Sequence, residues 1–216
     1  MKTIKYIVMG LILSSLLISS FSFSPSGKSF KQNENVTFCE TYTQHELFSK
    51  LDPQERLFTL IQLEGTDPES SRIGTCNDTD LGALWDYLQS KAFRSKVQED
   101  LIIAAGAEAS GSKISLYAIR KPASNDVFPT QQDIDEVSVS VDTEGNYALL
   151  ISFSESGATN WASITRKNKG RNIAILFNGK VLAAPRVQEE IKGGKCSISG
   201  NYTEDEINKL KAALEI

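Results

Sequence analysis

The sequence contains very few of the residues on which catalytic and metal sites usually depend. It has one histidine, His45, and three cysteines in 216 residues, which excludes mechanisms that need two imidazoles. Cys39 and His45 have no second ligand pair at zinc-site spacing, and no Gly-x-Ser-x-Gly nucleophile elbow follows them. The KGGK segment at 192–195 lacks the spacing of a phosphate-binding loop. We therefore expect no enzyme activity, no metal and no cofactor.

Basic residues are too few for a nucleic-acid surface. The chain has 23 Lys and Arg against 27 Asp and Glu, a net charge of -4, whereas counterion displacement from a duplex needs clustered positive charge. Nucleic acid is therefore not an expected partner. The remaining composition, 40% hydrophobic with 14 Gly and 6 Pro, is typical of a globular chain that can build its own core.

Long hydrophobic runs are absent except near the N-terminus. The apolar run at residues 6–18 follows Lys2 and Lys5, is shorter than the roughly 20 residues that cross a bilayer, and precedes the small-x-small segment at 20–22. This layout predicts a signal peptide over residues 1–22, followed by a flexible leader at 23–35. We therefore expect the protein to be exported to the periplasm. The alternative is an uncleaved membrane anchor at residues 6–18.

Export gives the three cysteines an oxidising context in which a disulfide can persist. Cys196 alternates with Ile198 in a short apolar stretch, which favours a buried free thiol. Cys39 and Cys76 lie in turn-rich segments and form the candidate pair. Connectivity cannot be deduced from spacing alone, so this disulfide is one hypothesis beside the unpaired alternative.

Three segments have helical periodicity and capping residues. Leucines and Trp85 repeat at helical spacing from 81 to 88 and predict a core-facing stripe. Ser154 is placed to cap a helix that extends to Asn168, with Trp161 on its buried face and Gly170 as its C-terminal cap. Thr203 and its partner three residues later form the capping box of a final helix.

The period changes to two from residue 112 onward, which indicates strands. Apolar residues alternate at 137–141 and again at 147–153, on either side of a polar turn, and predict a hairpin. Asn178-Gly179 predicts a type I′ hairpin turn, because both central residues of that turn need positive φ. Strands in hairpins interrupted by single helices predict an α+β fold with a mostly antiparallel sheet.

The order of motifs in the second half of the chain resembles a known family. The motifs are SFSESGA at 152–158, WASITRKN at 161–168, GRNIAI at 170–175, NGKV at 178–181, AAPRVQ at 183–188 and ISGNYT at 198–203. Together they resemble the first periplasmic domain of SecD and of fused SecDF, membrane components that assist protein export. The resemblance is close at 116–214 and looser from about residue 57. It implies a base-like segment at 36–111 and a head-like domain at 112–216.

The resemblance also implies a function. In the family the head is thought to hold emerging preprotein, which implies a non-enzymatic module for unfolded or extended polypeptide. The export machinery is a further candidate partner. Arg186, with Ala184 and Pro185, is the candidate polypeptide-binding segment, since its planar guanidinium can donate to peptide carbonyls. A surface arginine in an ion pair is the alternative. The other candidate function is an envelope structural or interaction domain with an envelope protein as its partner.

Overall fold

The computed structural model describes residues 36–64, 67–199 and 202–215, with the backbone alone at 108–110. Its helices are α1 Gln44–Phe48, α2 Leu57–Leu60, α3 Leu81–Gln89, α4 Lys91–Arg94, α5 Glu155–Lys167 and α6 Glu204–Leu214. Its strands are β1 Val36–Glu40, β2 Arg72–Asn77, β3 Leu101–Ser110, β4 Lys113–Arg120, β5 Ile134–Val141, β6 Tyr147–Phe153, β7 Ile173–Phe177, β8 Lys180–Ala183 and β9 Lys195–Ser199.

The larger sheet has six strands in the order β1-β7-β8-β3-β4-β2. Its pairings are antiparallel except for β3 with β8, which meet in parallel at Gly106 and Val181. The sheet curls until the end of β1 reaches β4, where Thr41 bridges Ile119 and the Tyr42 amide donates to the Ala118 carbonyl at 2.9 Å. Five strands thus form a closed ring around a small apolar interior, and β2 extends the sheet outside it.

Three apolar cores hold the structure together. The first fills the ring of strands and includes Cys39 and Ile119. The second lies between the outer face of β2, β3 and β4 and the first four helices. The third lies under the smaller sheet, ordered β5-β6-β9, where α5 and α6 pack together with side chains of β1 and β7. Because β1 and β7 contribute to two cores, the two sheets are joined through them.

The predicted α+β class with mostly antiparallel strands is confirmed. Ser154 caps α5 by accepting from the Gly157 amide, Gly170 has φ +81°, and Thr203 forms its capping box at α6. Trp161 is only 3% exposed and belongs to the third core, as predicted. The stripe of α3 is less regular than expected, since Trp85 is half-buried at the margin of the second core.

The proposed division of the chain at 111 and 112 falls within the turn that joins β3 and β4. These strands pair along most of their length, and β1 pairs with β7 from the other end of the chain. The hydrogen-bonded sheet therefore runs through this position. The predicted signal peptide, residues 1–22, and leader, residues 23–35, lie outside the described residues.

The turn at Asn178-Gly179 has the predicted backbone, with φ of +49° at Asn178 and +75° at Gly179. Replacing Gly179 with Val places a β-branched side chain at positive φ, and we expect a loss of about 1 to 3 kcal/mol in the free energy of unfolding. Denaturant unfolding measures this loss. Gly193→Val is the matched control, because Gly193 has no positive φ and open space around its Cβ position. Equal losses in both variants contradict the turn as the cause.

Candidate functional site

The predicted segment at 184–186 follows β8 and runs along the start of β7. The Asn172 side-chain amide donates to the Ala184 carbonyl at 2.6 Å, and the Ile173 amide donates to the Pro185 carbonyl at 3.1 Å. Both carbonyls are thus used inside the protein. A ligand at this segment therefore meets side chains rather than free main-chain acceptors.

Arg186 is held by two contacts of the same chain. Its Nε donates to the Gly170 carbonyl at 2.8 Å, and its Nη1 lies 3.6 Å from Asp67 Oδ2. The side chain remains 44% exposed. Arg186 is therefore positioned by an ion pair, as in the alternative interpretation, and its side chain is still partly exposed to solvent.

A polar network that the sequence does not reveal joins the end of β1 to the segment after α5. The Arg171 guanidinium donates to the Thr41 carbonyl at 3.1 Å and to Glu46 Oε2 at 2.8 Å. Thr41 in turn donates its hydroxyl to the Asn172 carbonyl at 2.9 Å. Burial opposes ionisation of Glu46, but the hydrogen bonds from Arg171 and the Thr43 amide outweigh it and lower the pKa of this carboxyl.

Glu40 is the deepest carboxylate of this network, at 7% exposure. Its Oε1 accepts from Lys167 Nζ at 2.8 Å and from Asn168 Nδ2 at 3.0 Å. A buried carboxylate is tolerated only with such partners. Because the charge of Glu40 is paired with Lys167 and its Oε1 accepts from two donors, these contacts hold β1 against α5.

The candidate Cys39–Cys76 disulfide is not formed in the structure, which has the unpaired alternative. Cys39 lies in the interior of the strand ring, whereas Cys76 belongs to the second core on the opposite face of the sheet, and both are free thiols. Side chains on opposite faces cannot meet the geometry of a disulfide. Cys196 is also a buried free thiol, as expected. Burial raises the pKa of Cys39 and Cys196 to about 12 and that of Cys76 to about 11, so all three are protonated at neutral pH.

The described residues hold no group of three or more metal-ligating side chains, and His45 is exposed on α1. No helix in the same part of the chain is both long enough and apolar enough to cross a membrane.

The smaller sheet has β5 and β9 as its outer strands. The outer edge of β9 lies near β8. Tyr202, which follows β9, donates its hydroxyl to the Leu182 carbonyl of β8 at 3.2 Å. The β5 side has no neighbouring strand among the described residues. Edge strands are often blunted by charged side chains, proline or bulges. β5 has two acidic residues and a bulge at its beginning, whereas its residues 137–141 carry neither a charge nor a proline. Sequence reasoning identified this strand but not its position at an edge.

An open groove of about 480 Å³ lies beside the beginning of β5. The groove is lined by two glutamines that precede β5, by the first four residues of β5 and by the end of α6. We refer to it as the β5 groove; its lining residues are Gln131, Gln132, Ile134, Asp135, Glu136, Val137, Leu214 and Glu215.

Comparison with known protein families matches residues 110–216 to the SecDF P1 head subdomain. This carboxy-terminal part of the chain is therefore similar to that subdomain, which confirms the resemblance read from its motifs.

Curated relatives agree with this assignment. Protein translocase subunit SecD of Acidaminococcus fermentans is 41% identical over 85 residues, which cover 39% of this chain and 20% of the relative. The SecD subunit of Sebaldella termitidis is 37% identical over 98 residues, or 44% of this chain and 24% of the relative. The matched region thus spans about a quarter or less of the length of each.

Two solved structures of SecDF are also similar to the chain. One, described as a membrane component that enhances protein export, has a TM-score of 0.41 and 16% identity, covering 83% of this chain and 92% of that one. The other, SecDF from Thermus, has a TM-score of 0.33 and 19% identity, covering 85% of this chain and 29% of that one. These superpositions are too loose to support a functional argument.

Proposed function

We propose that this chain is an exported, non-enzymatic component of protein export that holds unfolded or extended polypeptide. The observation that carries the proposal is the match of residues 110–216 to the SecDF P1 head subdomain, with curated relatives that are protein translocase subunits. Because the matched region is a small part of those relatives, their activity is transferred here as a proposal. The periplasm is the proposed compartment, since the N-terminal segment has the layout of an export signal.

The free edge of the smaller sheet supports this role physically. An extended polypeptide can add to an exposed strand by main-chain hydrogen bonds, which every sequence can supply and which therefore need no sequence selectivity. The β5 edge offers such groups, whereas the 184–186 segment offers the half-exposed guanidinium of Arg186 as a side-chain contact. Both surfaces are candidates for the polypeptide, with Ala184 and Pro185 flanking the arginine.

A binding titration tests the proposal. We expect the mature chain, residues 23–216, to bind a reduced, unfolded model polypeptide of near-zero net charge weakly. The affinity should be largely retained at moderate salt, because apolar and main-chain contacts are not screened. Fluorescence anisotropy of the labelled polypeptide measures the binding. The same polypeptide in its folded, oxidised form is the matched control and should not bind. Absence of binding at millimolar concentration contradicts the proposal.

The second candidate is an envelope interaction domain that keeps the head fold without handling export substrates. The small share of each relative that the chain matches favours this alternative, since fold similarity alone does not transfer function. Crosslinking of the exported protein in cells separates the two. Capture of many different nascent chains supports the export role, whereas capture of one folded envelope protein supports the interaction domain.

A further inference from the structure

The β5 groove follows the unpaired edge of its strand. Residues 134–137 all line the groove, although successive side chains of a strand point to opposite faces. Contact with four residues in a row therefore places the groove along the edge rather than over one face. An occupant of this groove lies beside main-chain groups for which β5 has no partner strand.

A β-bulge shapes the strand at this point. Ile134 lies opposite Phe153 and Glu136 opposite Ser152, which leaves Asp135 as the extra residue without a partner on β6. Bulges re-aim side chains at sheet edges. Asp135 and Glu136 are both exposed, and neither forms an ion pair within the residues that the structure describes.

The charge around the groove has one sign. Three carboxylates, those of Asp135, Glu136 and Glu215, line it, and its lining residues include no lysine, arginine or histidine. Only Glu215 has a cationic neighbour, Lys211, at 3.3 Å. Of the apolar lining residues, Ile134 is partly exposed, whereas Val137 and Leu214 are buried in the third core beneath the groove. The groove thus has two carboxylates, those of Asp135 and Glu136, that no cation of the described residues neutralises, beside the partly exposed Ile134.

Gln131 adds an unsatisfied acceptor. Its Nε2 donates to the Ala213 carbonyl at 3.0 Å, which orients the amide, while its Oε1 is shielded from solvent and has no hydrogen-bond partner. A buried acceptor without a donor is costly.

We propose that the β5 groove binds an extended polypeptide segment that carries lysine or arginine. The backbone of the segment pairs with the β5 edge, and its cationic side chain lies among Asp135, Glu136 and Glu215. The inference rests on the proposed function and adds to it a substrate class, since a groove with this lining favours basic over acidic segments.

Two matched peptides test the preference on the mature chain, residues 23–216. They are unstructured and share the same apolar residues, but one has lysine where the other has glutamate. We expect the lysine peptide to bind about three- to tenfold more tightly at low salt, which corresponds to a few exposed charge pairs. High salt should remove most of this difference, because it screens exposed charges.

The double variant Asp135→Asn, Glu136→Gln removes two charges at nearly constant shape. We expect it to reduce the preference to less than twofold by weakening the lysine peptide. The control Glu144→Gln, Glu189→Gln removes two exposed charges outside the groove and should keep the preference. Circular dichroism verifies the fold of each variant.

The outcomes separate this inference from the function on which it rests. Equal binding of both peptides, or a preference that survives in the groove variant, overturns the inference and leaves polypeptide binding intact. Loss of the preference in the control variant assigns it to the overall charge of the protein and likewise overturns the groove. Failure of both peptides to bind overturns the proposed function together with the inference.

Discussion

Replacing Trp161 with Ala is expected to lower the free energy of unfolding by about 3 to 5 kcal/mol. The indole is 3% exposed in the third core, and its ring centroid lies 5.4 Å from that of Phe38 and 5.7 Å from that of Phe153. Its Nε1 donates to the Lys195 carbonyl at 3.2 Å. The substitution removes these contacts between α5 and three strands at once and leaves a cavity between rigid elements.

Denaturant unfolding of Trp161→Ala measures the loss, and Trp85→Ala is the matched control. Trp85 is half-buried at the margin of the second core, so its removal opens less space and should cost clearly less. Similar losses in the two variants would mean that the third core does not depend on Trp161. A Trp161 variant with unchanged stability but weaker polypeptide binding would reassign this residue to the binding surface.

Replacing Gly74 with Ala is expected to cost about 2 to 4 kcal/mol, because strain and overpacking add at this position. Gly74 lies in β2 with φ of +143°, a backbone conformation that residues other than glycine rarely adopt. A Cβ there would press against the Gln62 carbonyl oxygen and lie 3.1 Å from its carbon. This backbone cannot easily yield, since the Gln62 amide and carbonyl are both paired with Thr75 at 2.7 and 2.8 Å.

The same substitution at Gly82 should have the opposite sign. Gly82 lies in α3 with no atom within 4 Å of its Cβ position, and alanine is favoured over glycine in a helix by up to about 1 kcal/mol. Denaturant midpoints of the two variants provide the test. A stable Gly74→Ala protein would show that the approach of Gln62 to β2 is not a constraint on the fold.

The candidate site illustrates where sequence reasoning stops. Arg186 was identified as a guanidinium available to peptide, but its two partners, the Gly170 carbonyl and Asp67, come from distant parts of the chain and carry no local signal. The same holds for Cys39 and Cys76. Their proximity to turns suggested a pair, yet which face of the sheet each side chain occupies depends on strands that follow much later.

The β5 groove likewise depends on tertiary structure. Adjacent acidic residues such as Asp135 and Glu136 are usually part of a solvated face. Nothing in the local sequence distinguishes these two from an ordinary solvated pair. The end of α6, with Leu214 and Glu215, packs beside them although it is distant in the chain. Only this packing adds apolar lining, a third carboxylate and the buried acceptor of Gln131 to an exposed acidic pair.

Local structure is what the sequence by itself determined. The Asn178-Gly179 turn, the Ser154 cap and the Thr203 capping box all satisfy requirements that involve only neighbouring residues, so they are readable without the fold. The tertiary structure alone decided that β1 pairs with β7, that the ring of strands closes at Thr41, and that Glu40 is buried against α5. Apolar alternation indicates a strand but does not specify its partner, because strand pairing depends on surfaces contributed by residues far apart in the chain.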